Sequence, residues 1–157
     1  MPEGAPAVGR VEQWARAMWD RDTLSRSLGM ELLEARPGRA VVRMTVRPDM
    51  LQGHGSVHGG MLFTLADTAF AFCCNGPDRV VVAASADVTF VAPAAAGEVL
   101  LATADEDARW GRNGLTRVRV ERERDGAVVA LFQGRSREVG ANRQVSAPAD
   151  PSPAANP

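Results

Sequence analysis

The sequence predicts an α+β domain in which a curved antiparallel sheet wraps around one long central helix. Three observations carry that expectation. Residues 60–74 are apolar almost all round, as a helix is when its surroundings cover it. Runs with the two-residue period of strands flank this segment, two before it and four after. Short turn signals join several of the runs, which favours antiparallel neighbours over the long crossovers that a parallel sheet requires. A sheet built this way has an apolar face that needs cover, and the helix supplies it.

Taken in order, residues 1–9 read as a loose, disordered leader of Pro, Gly and Ala. Val11, Trp14, Ala15 and Met18 then recur at i, i+3, i+4 and i+7, predicting an amphipathic helix over about 10–20. Strands follow at 28–35 and 39–47. In the second, Ala40, Val42, Met44 and Val46 alternate with Val41, Arg43, Thr45 and Arg47, and "RPG" between the two makes a hairpin turn. Beyond the central helix, strands are expected at 80–91, 98–106, 114–124 and 127–139, with Asp125-Gly126 in the last turn and three consecutive hairpins among them. The tail, 142–157, is too rich in Pro, Ala and Ser to pack and reads as disordered, leaving a single domain over 10–141.

A chain of 157 residues with 45% hydrophobic composition suits one compact domain. Its 18 basic side chains, all arginine, are scattered among 19 acidic ones for a net charge of −1, so nothing marks a nucleic-acid or membrane-binding surface. Lysine, isoleucine and tyrosine are absent, a bias expected of a GC-rich genome, so arginine frequency alone carries little functional meaning. No run approaches the roughly 20 apolar residues of a membrane span, and the first ten residues lack the order of a signal peptide; a cytoplasmic location is expected. Cys73 and Cys74 are neighbours, about 100° apart on a helix, and read as inert free thiols.

The chemistry concentrates in "LQGHGSVHGGMLFTLADTAFAF", Leu51 to Phe72. Asp67 is costly in a buried helix, because a carboxylate removed from water must find partners or give up its charge. Thr64 and Thr68 lie near it on what reads as the helix's polar line. Two roles are open for Asp67: bonding a neighbouring backbone group, or chemistry. The preceding "HGSVHGG" places the first free helical amides around Gly59, Gly60 and Met61, with the positive end of the helix dipole behind them. Such amides can stabilise a carbonyl oxygen that gains charge during acyl transfer. Asp67 stands about 12 Å further along the axis, too far to serve the same carbonyl within one chain. A second, antiparallel copy of the helix would bring its Asp67 opposite this Gly59, so the spacing points to a site shared across a two-fold dimer. His54 and His58 form H-x3-H, but on a glycine-rich loop with no third ligand, so no metal is expected. The glycine spacing does not fit a dinucleotide fingerprint either. Phe63, Phe70, Phe72, Phe90 and Trp110 read as core residues.

"GHGSVHGGMLFTLADTAFAF", followed by "VTFVAP", "WGRNG" and "VALFQGRS", resembles the hotdog-fold acyl-CoA thioesterases of the phenylacetate-degradation type over about 28–140. The resemblance implies a hotdog fold, dimers and commonly tetramers, and a site combining the glycine of one subunit with the aspartate of the next. It implies that Asp67 is the catalytic carboxylate, that Gly59 supplies the amide polarising the thioester carbonyl, and that His58 sets the loop leading into the helix. Gln52 stands six residues before that histidine, where the family often has asparagine, and keeps the amide on a longer stem. Where a serine or threonine often opens the following strand this chain has Ala83, and Ser85, counted onto the same face, is the candidate in its place; Asp87 shares that face. Gly60 joins Gly59 as a substrate-binding amide, and Arg112, in the "WGRNG" loop, is a candidate contact for a CoA phosphate. The expected substrate is phenylacetyl-CoA or a ring-hydroxylated relative, with CoA part of the substrate and no separate cofactor. Asp67 would act as general base or as nucleophile. Two alternatives are a hydratase-like enzyme on the same fold, for which no histidine stands beside the carboxylate, and a non-catalytic acyl-CoA binding module, which would dispense with Asp67.

Overall fold

The computed structural model describes residues 9–141, so the expectations of a disordered leader and tail lie outside the described residues, Gly9 apart. Helix α1 (Gln13–Arg21) and a short helix α2 (Thr23–Ser27) precede strands β1 (Glu31–Arg36) and β2 (Arg39–Thr45). A 3-10 turn (Pro48–Met50) and a loop lead into α3 (Gly59–Cys74), and β3 (Val80–Phe90), β4 (Val99–Trp110), β5 (Asn113–Arg122) and β6 (Val128–Gly140) follow. The six strands form one antiparallel sheet in the order β1-β2-β4-β5-β6-β3.

Turn chemistry and packing explain the elements. Pro37 and Gly38 join β1 to β2, and Gly38 has φ +85°, which the third position of a type II turn requires and glycine takes without strain. Helix α3 buries Leu62, Leu65, Ala66, Ala69, Phe70, Phe72 and Cys73 against the inner face of the sheet, where Val42, Met44, Leu100, Ala102, Val118, Val120 and Phe132 meet them. Phe70 lies so close to β6 that a Cβ on Gly134 would stand 2.7 Å from its ring, so only glycine lets this helix and strand approach as they do. Trp19 of α1 packs edge-on to Phe72 at 5.5 Å between ring centres, and the Ser25 hydroxyl of α2 lies 3.0 Å from that of Thr68. Thr68 is therefore held beneath α2, away from the helix's open side.

Four expectations change. Val11 is not helical but bridges Ala35 in parallel, so α1 starts later. The strand expected from residue 28 begins at Glu31, because residues 23–27 form α2, capped by the Asp22 side chain on the Ser25 amide, and the turn after it needs Gly29 at φ +69°. β4 runs on to Trp110 across an irregularity between Glu106 and Ala108 that absorbs one extra residue. The hairpin expected between β3 and β4 does not form: β3 pairs with β6 while β4 lies between β2 and β5, so that β5 and β6 separate the two strands. Residues 91–98, with Pro93 among them, carry the chain across, and the Val57 amide donates to Ala94 O at 2.8 Å, tying that crossing to the loop before α3. Strand β3 is thereby left at an edge, and its residues 82–87 are all exposed.

Candidate active site

The loop before α3 is pinned at both ends. The Gln52 amide donates to Ser56 O at 2.8 Å, the Gln52 side-chain amide donates to the Ser56 hydroxyl at 2.8 Å, and its carbonyl oxygen accepts from the His54 amide at 2.6 Å. The His58 amide donates to Met50 O at 2.8 Å, which fixes where the helix begins. His58 caps α3: its Nδ1 accepts from the Gly60 amide at 2.8 Å, so the proton of the neutral ring sits on Nε2. Met61 and Leu62 both donate to His58 O, at 2.9 and 3.4 Å. Of the four opening amides, Gly59 alone has no hydrogen-bond partner among the described residues. The Gly60 amide, expected to face substrate, is committed to His58.

Gly59 and Gln52 share the wall of a cavity of about 430 Å3, with Ser56, Val57, Leu62 and residues 90–93. The Phe90 ring closes on Gly59, where an added Cβ would lie 2.9 Å from its tip. Phe90 was expected in the core and is instead 55% exposed; Phe63 and Trp110 are exposed as well, while Phe70 and Phe72 are core residues. Sequence patterning missed Phe90 as a site residue because a strand's last aromatic reads as core whenever the strand is taken to be internal. Ser56 and Pro93 gave no signal beyond their place in loops.

Asp67 projects from the stripe of α3 that its own sheet leaves uncovered. Gly60, Phe63, Thr64, Asp67 and Ala71 are all partly or fully exposed, whereas the positions between Thr64 and Ala71 other than Asp67 are buried. The Asp67 carboxyl makes no hydrogen bond or ion pair among the described residues, and partial burial alone pushes it above the ordinary aspartate value of 3.8. Thr64 donates to Gly60 O at 2.8 Å, so neither threonine hydroxyl serves Asp67. Asp67 stands two turns down the helix from the cavity and is not in its wall.

The remaining candidates lie elsewhere. An irregularity between Ala83 and Ser85 turns β3 over: Ala83 pairs with buried Ser136, whereas Ser85 pairs with exposed Arg135 and Asp87 with exposed Gln133. Ser85 and Asp87 therefore face away from α3, and Ala83 and Ala86 face toward it; counting residues back from Phe90 could not reveal the inserted one. Arg112 is exposed in the β4–β5 turn, at the end of the sheet opposite Gly59, where its carbonyl accepts from the Glu138 amide at 2.7 Å. His54 is exposed in its turn, and no three His, Cys, Asp or Glu side chains gather as a metal site among the described residues. Burial pushes the Cys73 and Cys74 thiols up to about 12, which leaves them unreactive at neutral pH. No described helix is long and apolar enough to cross a membrane.

Residues 54–129, which hold the cap, the helix and most of the sheet, match the family described as Thioesterase superfamily. The acyl-coenzyme A thioesterase PaaI of Escherichia coli is 40% identical over 128 residues, 82% of this chain and 91% of that protein. The chain belongs to the thioesterase superfamily. Its fold is the hotdog of that superfamily, six antiparallel strands curved against α3. The solved E. coli PaaI, from the phenylacetic acid degradation operon, superimposes with a TM-score of 0.78 at 39% identity, covering 81% of this chain and 91% of that one. A Thermus thermophilus protein, TT0310, gives a TM-score of 0.71 at 40% identity, covering 76% and 99%.

Proposed function

We propose that the protein is an acyl-CoA thioesterase whose active site is composed by two copies of the chain, and that arylacetyl groups of the phenylacetyl type are its substrates. The observation that carries this is the unpartnered Gly59 amide opening on the cavity at the N-terminus of α3, in a member of the thioesterase superfamily. Placed there, a thioester carbonyl oxygen accepts from the Gly59 N–H with the helix dipole behind it, and the negative charge that develops on attack is stabilised where it forms.

Asp67 of the same chain is about 12 Å away along the helix, so it cannot serve that carbonyl. The uncovered stripe of α3 and the exposed edge of β3 lie side by side, and both suit a second copy: β3 against β3 extends the sheet, and antiparallel α3 helices set each Asp67 opposite the other's Gly59. Asp67 then draws a proton from water as the water oxygen bonds the carbonyl carbon, or bonds that carbon itself to give a mixed anhydride that water opens. Either way the C–S bond breaks and the CoA sulfur leaves as thiol, with a carboxylate as the other product. Gln52, in the wall of the same cavity, would orient the attacking group through the second N–H of its side-chain amide, the first being given to Ser56, and His58 would keep the Gly59 amide directed by holding Gly60. The relative from the phenylacetic acid degradation operon supports the acyl preference. The test is turnover of purified protein with aryl and aliphatic acyl-CoAs, following free thiol; phenylacetyl-CoA is expected among the best, and hydrolysis of none would overturn the reading.

A further inference from the structure

The outer face of the sheet carries many arginines, and most are neutralised. Arg39 bonds Asp105 at 2.7 Å, Arg117 bonds Asp107 at 3.1 Å, Arg119 bonds Glu121 at 2.9 Å, and Arg43 lies 3.6 and 3.8 Å from Glu31 and Glu123. Arg135 and Arg137 are different. They stand two residues apart on the outward side of β6, exposed, with no ion-pair or hydrogen-bond partner among the described residues. Asp87 shares their face yet pairs with neither. Beside them on the edge strand are only Ser85 and Val82, their ladder partners, whose side chains leave the guanidinium groups open. Arg112, also exposed and unpartnered among the described residues, is held next to this row by the bond from the Glu138 amide to its carbonyl.

We infer that Arg135 and Arg137, extended by Arg112, form a phosphate-binding row that grips the nucleotide end of a CoA ester whose acyl end occupies the partner's cavity. This rests on the shared-site reading above. Antiparallel pairing of two β3 edges about Ser85, the middle of the strand, sets the partner's Phe90 beside Val80 here. The partner's Phe90 lies against the partner's Gly59, as it does within this chain. On this side, Val80 and Val82 are the ladder partners of Gly140 and Arg137. The row thus runs about two strand spacings, roughly 10 Å, from the mouth of the partner's cavity. A CoA ester bound by its thioester trails a flexible arm ending in a diphosphate and a 3′-phosphate. Guanidinium groups without carboxylate partners engage such phosphates in paired hydrogen bonds, without first breaking an ion pair.

The double variant Arg135→Gln/Arg137→Gln tests this, assayed with phenylacetyl-CoA and with the phenylacetyl thioester of N-acetylcysteamine, which keeps the reacting bond and lacks the phosphates. Relative to wild type, the ratio of kcat/KM for the CoA ester to that for the truncated ester should fall about tenfold or more, through KM of the CoA ester. Raising salt should erode the wild-type preference for the CoA ester and leave that of the variant nearly flat. An unchanged ratio overturns the phosphate row. If wild type hydrolyses neither ester, the thioesterase reading has failed, and calorimetric titration with adenosine 3′,5′-bisphosphate decides the row separately. Binding by wild type that the double variant loses supports it, and no binding by wild type overturns it.

Discussion

Asp67 has no partner for its charge among the described residues, and two opposed consequences follow at the level of this one side chain. Burial raises its carboxyl above 3.8, so the folded chain holds the Asp67 proton more tightly than the unfolded chain. Its contribution to stability is therefore greatest below that ordinary value and is lost as pH rises through the raised one. Asp67→Asn removes a charge that the fold does not satisfy: at neutral pH the variant should melt higher than wild type, with the gain shrinking in acid, while kcat falls by roughly 10²–10⁴. A lower melting temperature at neutral pH would show that the carboxylate makes a stabilising bond, and turnover within tenfold of wild type would remove Asp67 from the chemistry. The wild-type rate should also fall in acid at a pH above that of an ordinary aspartate. The oddity of Asp67 was legible in the sequence, because one carboxylate in an apolar helix stands out. What could not be read was that Thr68 turns toward Ser25 rather than toward Asp67, since this depends on where α2 packs and α2 itself gave no periodic signal.

Helix α3 was readable as a long run apolar almost all round, and the strands by their two-residue alternation between turn signals, whereas single insertions were not. The extra residue in β3 between Ala83 and Ser85 leaves the pattern of small side chains unchanged yet moves Ser85 and Asp87 to the face away from the helix. Two glycines separate packing that can yield from packing that cannot. A methyl group on Gly134 would stand 2.7 Å from the ring of Phe70, which is fully buried and has nowhere to go. Gly134→Ala should cost about 1–3 kcal/mol in denaturant unfolding. A methyl group on Gly59 would stand 2.9 Å from Phe90, an exposed ring at a strand end that can swing outward. Gly59→Ala should therefore cost less than about 1 kcal/mol, retain its amide, and keep measurable turnover. Equal losses from the two substitutions would mean that Phe90 is held as firmly as Phe70.

At the scale of the whole molecule, the number of strands and their place before and after the long helix were legible and the strand order was not, because β3 pairs with β6 across a crossing that no local turn signal marks. Under the shared-site proposal the consequence is functional, since it is this crossing that leaves β3 at an edge beside the open stripe of α3. A site shared between two copies makes a quantitative claim. Asp67→Asn lacks the carboxylate and Gly59→Pro lacks the amide; proline is well accepted at the first position of a helix, and Gly59→Ala controls for the contact with Phe90. Each of the two disabled variants alone should be nearly inactive. When they are unfolded and refolded together, random pairing makes half the dimers mixed, and each mixed dimer holds one doubly broken site and one intact site. Activity should return to roughly a quarter of wild type. Were both groups of a site drawn from one chain, every site in the mixture would stay damaged and nothing would return. Gel filtration and circular dichroism on Gly59→Pro come first, because a proline that breaks α3 would imitate that negative result. Verified mixed dimers without recovered turnover would end the composite site, and with it the reason offered here for an unpaired aspartate two turns from the amide it is meant to serve.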